Sequence, residues 1–213
     1  MEQLTLHNVT KIIQHNAVLK GINLELYPGH VYGFVGRNGS GKTMLFRAIA
    51  GLISLTEGTV TLDGKVLHKD MSVLPNVGLV IENIGLYPEF TGYQNLKILA
   101  NLNKKIDKKQ IRKTIERLGL NPDDKRTFRK YSLGMKQRIV LAQALMEEPD
   151  ILLLDEPTNG LDESGVDLLR NIVREEKKRG ALILIASHNK EDIDLLCDTK
   201  LYIKEGQLVE GQA

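Results

Sequence analysis

The stretch Gly36-Arg37-Asn38-Gly39-Ser40-Gly41-Lys42-Thr43 constrains this chain more than any other. It follows an apolar run at 31–35 that reads as a buried strand, and it precedes residues 44–50, which read as a helix opened by Met44. Strand, glycine-rich loop and helix in that order make a phosphate-binding P-loop. Glycines let the backbone curl until successive N–H groups point at one anion, and the new helix sets its positive dipole end beneath it. Lys42 supplies a cation for the outer phosphates, and the Thr43 hydroxyl suits Mg²⁺, which takes oxygen ligands and keeps several waters. The pattern predicts a nucleoside triphosphate site built from residues 36–44.

A second carboxylate pair belongs with it. Leu154-Asp155-Glu156-Pro157 ends the apolar run 151–154. Ligands of open α/β sheets gather at the carboxyl ends of strands. Asp155 is placed to hold hydrated Mg²⁺, and Glu156 to polarise a water at the γ-phosphate. Two adjacent carboxylates leaving a buried strand are costly without a cation or hydrogen bonds.

Around these motifs the chain divides by texture. Residues 4–9 and 18–27 alternate apolar and polar, as do 58–62 and 66–67 on either side of Asp63-Gly64, a hairpin signal. The first third therefore reads as antiparallel strands beside a P-loop core, with another buried strand at 77–81. From 91 to 146 the spacing is helical: 91–104, with Leu96, Leu99 and Leu102 on one stripe, then 108–118 and 133–146. Buried strands at 151–154 and 181–187, helices at 163–179 and 189–197, and a closing hairpin at 200–210 complete the core. The expected fold is an α/β P-loop NTPase core, a mixed sheet with an antiparallel β subdomain, spanning 1–82 and 149–213, with an α-helical subdomain inserted at about 83–148.

The 213 residues, 42% apolar and 26% charged, suit one large domain or one domain with an inserted lobe. A net charge of +2 gives no nucleic-acid footprint, so no nucleic-acid partner is expected. The cluster Lys104, Lys105, Lys108, Lys109, Arg112 and Lys113 reads as a solvated helix face. A single Cys197 fits a reducing compartment. No apolar stretch approaches the roughly 20 residues of a membrane span, and the first residues lack a signal peptide's regions. The chain is expected in the cytoplasm, with any membrane attachment made through a partner.

The motifs now stand in series: the P-loop, a helical insertion, Tyr131-Ser132-Leu133-Gly134-Met135-Lys136-Gln137-Arg138, then 155–162, then Ser187-His188. This series resembles the ATP-binding cassette of ABC transporters along nearly the whole chain. The resemblance implies Ser132 and Gly134 as a signature motif aimed at the partner's γ-phosphate, Asp162 as the loop that crosses the dimer, and His188 as a γ-phosphate switch. It implies ATP and Mg²⁺ as cofactors, a homodimer or paired cassette, and an integral membrane permease subunit that holds this chain peripherally at the inner face of the cell membrane. It puts Ile13 where an aromatic stacks on adenine, and Glu82 where a glutamine contacts metal and water. Leu133 and Met135 replace a signature glycine and glutamine. The Tyr-Ser-Leu-Gly-Met-Lys-Gln form at 131–137 and the Glu82 variant resemble the ATPase subunits of bacitracin- and lantibiotic-resistance exporters. The apolar stretch Ile84, Leu86, Tyr87, Pro88 and Phe90 offers a seat for the permease.

Three other readings compete. Asn189-Lys190-Glu191-Asp192 spells the guanine-reading motif of GTPases, but the strand after the P-loop lacks the Asp-x-x-Gly such enzymes place there. A soluble cassette acting on nucleic acid or ribosomes carries two cassettes or long coiled-coil insertions, which this chain lacks. A regulatory cassette that binds ATP without cleaving it has no use for Glu156.

Overall fold

The computed structural model describes residues 1–81 and 85–210. Two sheets organise them. β1 (Leu4–Ile13), β2 (Asn16–Leu26), β4 (Glu57–Leu62) and β5 (Lys65–Val66) form an antiparallel sheet in the order β2-β1-β4-β5. Asp63 and Gly64, with φ of 50° and 78°, turn β4 into β5, the left-handed pair a two-residue hairpin needs. The larger sheet runs β10-β9-β3-β8-β7-β6, built from β3 (Val31–Val35), β6 (Val77–Val80), β7 (Ile151–Asp155), β8 (Leu182–Ser187), β9 (Thr199–Lys204) and β10 (Gln207–Val209). Its ladders are parallel except β9–β10. The fold is that of an α/β P-loop protein with an antiparallel sheet beside the core.

The central strands are apolar throughout because both faces are covered. Ile151 and Leu153 pack with Leu182, Leu184, Phe34, the inner face of the antiparallel sheet and α1 (Lys42–Ala50). Leu152 and Leu154 turn the other way, with Ile183 and Ile185, toward the remaining helices. These are α2 (Gly92–Asn103), α3 (Lys108–Arg117), α4 (Leu133–Leu145), α5 (Glu163–Arg179) and α6 (Lys190–Leu196). The helices of the 92–145 region share one apolar cluster with that face of the sheet.

One local reading changes. Leu102 is 75% exposed, whereas Leu96 is buried and Leu99 half-buried. Each helical residue turns about 100°, so Leu102, six on from Leu96, lies about 120° around the axis from it. Ala100 takes the inward place. A short 3₁₀ turn, Phe128–Lys130, precedes α4. Cys197 is packed against Gly33, where an added Cβ would lie 2.7 Å from the sulfur, and burial pushes its thiol up to about 12.

Three aspartates that join distant segments sit below the ordinary carboxylate range. The N–H groups of Gln3 and Glu2 hold Asp63 down. The Gly165 N–H and then the Ser164 hydroxyl do so for Asp162. Burial opposes ionisation of Asp198, but the Lys177 ammonium and the Val31 N–H outweigh it. A depressed folded value means stability present above about pH 4 and lost as pH falls through the folded values. The melting temperature should therefore drop as pH falls below about 4, and Asp63→Asn should shallow that drop. An identical acid profile in the variant would remove Asp63 from this account.

Candidate phosphate-binding site

The larger sheet brings the motifs to one edge. Val35 lies opposite Ser187 across β3–β8, and Asp155 opposite Ala186 across β7–β8. Three parallel strands thus end together, and the residues following each meet there.

Gly36 leaves β3 with no room for a side chain: an added Cβ would lie 2.5 Å from both the Ile203 carbonyl oxygen and Ser40 Oγ. Gly41 takes φ of 111° and caps α1, with no side-chain hydrogen bond to the helix end and no acidic residue in the first turn. The first-turn N–H groups of α1 are therefore open to an anion. Lys42 folds back over the loop, 6% exposed, its Nζ donating to the carbonyls of Gly36 at 2.6 Å and Arg37 at 3.3 Å. It also lies 3.9 Å from Glu156 Oε1.

Thr43 Oγ1 donates to Asp155 Oδ2 at 2.5 Å, from α1 to the end of β7. Two hard oxygen donors side by side fit Mg²⁺, whose other positions phosphates and waters fill. Among the described residues no group of three or more His, Cys, Asp or Glu side chains is placed to hold a metal.

Glu156 turns the chain out of β7 in a left-handed conformation, φ 48°, its N–H held by the Ala186 carbonyl at 2.8 Å. Such backbone strain in a non-glycine residue gathers at functional sites. Its carboxylate is clamped from β8: the His188 N–H reaches Oε1 at 3.1 Å, His188 Nδ1 lies 2.8 Å from Oε2, and the Ser187 hydroxyl is 3.4 Å away. Glu156 stands between the Lys42 ammonium and the His188 ring.

Asn38, Gly39, Ser40, Gly41, Lys42, Thr43, Met44, Asp155 and Glu156 line one cleft of about 600 Å³. Gly36 and Arg37 line a neighbouring one with Asn38 and Tyr202. Ala17, Val18, Lys20, Glu205 and Gly206 complete the first wall, and sequence reasoning missed them. Only the hairpin signal at Gly206 hinted at this. The Lys20 N–H donates to the Gly206 carbonyl and the Gly206 N–H to the Ser40 carbonyl, so both hairpins are tied to the loop. Ile13 is exposed at the end of β1 and is not part of this wall. Glu82 and Ile84 lie outside the described residues.

Ser132, Gly134 and Asp162 are likewise absent from the cleft wall. Ser132 caps α4, its Oγ accepting from the Met135 N–H at 3.2 Å. Asp162 caps α5 through the Gly165 N–H at 3.0 Å, and its side chain is 72% exposed. The guanine-reading motif dissolves in the fold. Asn189 caps α6 by accepting from the Glu191 N–H, and Asp192 is buried 3.6 Å from Arg170.

Comparison with known proteins agrees with this geometry. The ABC transporter family model matches residues 19–159. The chain is 50% identical over 201 residues to the uncharacterized ABC transporter ATP-binding protein YybJ of Bacillus subtilis (strain 168), covering 94% of this chain and 92% of that protein. It is 40% identical over 205 residues to the bacitracin transport ATP-binding protein BcrA of Enterococcus faecalis, covering 95% and 67%. Its fold superposes on the dimeric structure of MJ0796, a bacterial ABC transporter cassette, with TM-score 0.87 over 97% of each chain at 22% identity. A phosphate-cradling loop, its carboxylate neighbours and these matches lead to one family: the chain belongs to the ABC transporters, as an ATP-binding ATPase subunit.

Proposed function

We propose that this chain is the ATP-hydrolysing half of an export machine: two cassettes close over ATP and Mg²⁺ at the cytoplasmic face of a separate membrane permease. The observation that carries the pairing is the separation of the motifs. The cleft holds Lys42, Thr43, Asp155 and Glu156, while Ser132, Gly134 and Asp162 stand elsewhere and exposed or half-exposed. A second copy, or a similar cassette, would supply that missing face. The core, 1–82 with 149–213, would carry the nucleotide, and the helical subdomain at about 83–148 the signature helix.

Phosphoryl transfer rests on positioning and charge neutralisation. Gly36 to Ser40 and the start of α1 would seat the phosphates, and Lys42 would swing from its own loop carbonyls to the outer ones. Thr43 and Asp155 would hold Mg²⁺, which neutralises phosphate charge when bound. Glu156 would accept the proton of the attacking water, with His188 orienting its carboxylate. The relative named for bacitracin transport supports a transport role. No helix among the described residues is long and apolar enough to cross a membrane.

The permease seat we favour is the turn at 86–90. Asn95, buried, accepts from the Tyr87 N–H at 2.7 Å and donates to its carbonyl at 3.0 Å. Phe128 and Arg129 bind the carbonyls of Phe90 and Pro88. This bracing presents the Tyr87 and Phe90 rings outward, 5.5 Å apart and 54% and 38% exposed. Paired exposed aromatics make an anchor worth on the order of 2 kcal/mol or more. Tyr87→Ser with Phe90→Ser should weaken co-purification with the permease at least about tenfold while ATP affinity holds. Undiminished permease binding would remove this seat. Failure of the wild-type chain to co-purify with any membrane protein would remove the transporter reading.

A further inference from the structure

The first two turns of α4 grip the loop 157–162 at four points. Leu133 fills the space over Gly160, where an added Cβ would lie 2.5 Å from Leu133 Cγ. At Gly134 a Cβ would come within 3.0 Å of the Gly160 carbonyl oxygen. Gln137 Nε2 donates to the Pro157 carbonyl at 3.1 Å. Arg138 Nη2 donates to Asp162 Oδ1 at 3.0 Å, with Ser164 Oγ at 3.4 Å, while Nη1 reaches the Leu118 carbonyl at 3.5 Å. The loop is also wound onto the catalytic strand end. The Asn159 N–H binds the Glu156 carbonyl and the Leu161 N–H the Thr158 carbonyl.

We propose that Gln137 and Arg138 are positioning residues, which lock the loop 157–162 to α4 so that the Ser132 end of that helix and the Glu156 carboxylate move as one unit. The two ends of this unit face different sites. Glu156 lines the chain's own cleft, and Ser132 is offered to the partner's. A six-residue loop pinned at Pro157 by Gln137 and at Asp162 by Arg138 has little freedom to let one end shift without the other. Closure at one site would thereby set the carboxylate in the other. This rests on the paired-cassette reading, because a single chain has only one of the two sites.

The contacts lie away from the phosphate cleft, so their loss should leave nucleotide affinity alone and slow the chemical step. A misplacement of about 1 Å costs on the order of 10²-fold in rate. Gln137→Met keeps length and volume but has no donor for the Pro157 carbonyl; it should cut kcat about five- to tenfold with KM for MgATP within about twofold. Arg138→Ala should cut kcat about 10- to 100-fold, again at near-constant KM. Arg138→Lys, which keeps a charge able to reach Asp162 but not the fork to Leu118, should recover part of that loss. Wild-type kcat in both Gln137→Met and Arg138→Ala overturns the proposal. So does a fall in ATP affinity matching the fall in kcat, or an Arg138→Lys variant no better than Arg138→Ala, since each marks plain structural support. Wild-type protein that neither hydrolyses ATP nor pairs would instead sink the reading beneath it.

Discussion

Glu156→Gln is expected to keep ATP binding, slow phosphate release about 10²–10⁴-fold, and accumulate a dimer in saturating ATP. The magnitude is that of losing a positioned general base. The geometry makes the substitution a clean one. Gln keeps an oxygen for the His188 N–H, which reaches Oε1 at 3.1 Å. Lys42 loses a carboxylate at 3.9 Å but retains the Gly36 and Arg37 carbonyls, so its buried ammonium is not stranded. The cleft should therefore keep its shape while its acceptor for a water proton is gone. ATP that cannot be cleaved would hold two chains together, because γ-phosphate contacts act as the bistable element of such switches. Size-exclusion chromatography with light scattering reads the dimer, and single-turnover phosphate release reads the chemistry. Turnover equal to wild type would falsify the base assignment. Slow turnover in a variant that stays monomeric with ATP, even beside its permease, would remove the two-chain site.

How far the sequence could be read depends on the range of each feature. The P-loop was legible because strand, loop and helix lie within 20 consecutive residues and the glycine positions have local steric causes, as at Gly36. The buried strands 151–154 and 182–187 were legible because covering both faces removes alternation. What the letters do not carry is which strand lies beside which. β3 neighbours β8 rather than the strand next in sequence, and only that order brings Thr43 to Asp155, 112 residues on. The hold of Ser187 and His188 on Glu156 is another product of register, as is the cleft wall at Lys20 and Gly206. Ser132 and Asp162 turn out to cap α4 and α5 in the fold. The contact that joins their helices runs through Arg138, and no motif spacing reveals it. Leu102 shows the opposite limit, since three leucines at equal spacing cannot all face one way on a helix.

Lys42→Met should separate binding from chemistry in the other direction. Here ATP affinity is expected to fall first, by about 2–5 kcal/mol, some 30-fold to several thousand-fold, the range for deleting one partner of a desolvated charge pair. Met is unbranched, one atom shorter than Lys and apolar, which suits a site only 6% exposed, so the fold should tolerate it. The Arg37 carbonyl still accepts from the Ser40 N–H, and the Glu156 carboxylate still has His188 and Ser187. The Gly36 and Arg37 carbonyls both lose Nζ, but the Arg37 carbonyl keeps its other donor, so the melting temperature of the nucleotide-free protein should move by no more than a few degrees. With nucleotide the difference appears: wild type gains stability as ATP rises, by linkage, and Lys42→Met should gain none until ATP is far higher. Isothermal titration with MgATP measures the loss directly. If Lys42→Met binds ATP as wild type does, the buried ammonium takes no part in seating phosphates, and the cleft at Gly36 to Met44 ceases to be the nucleotide site.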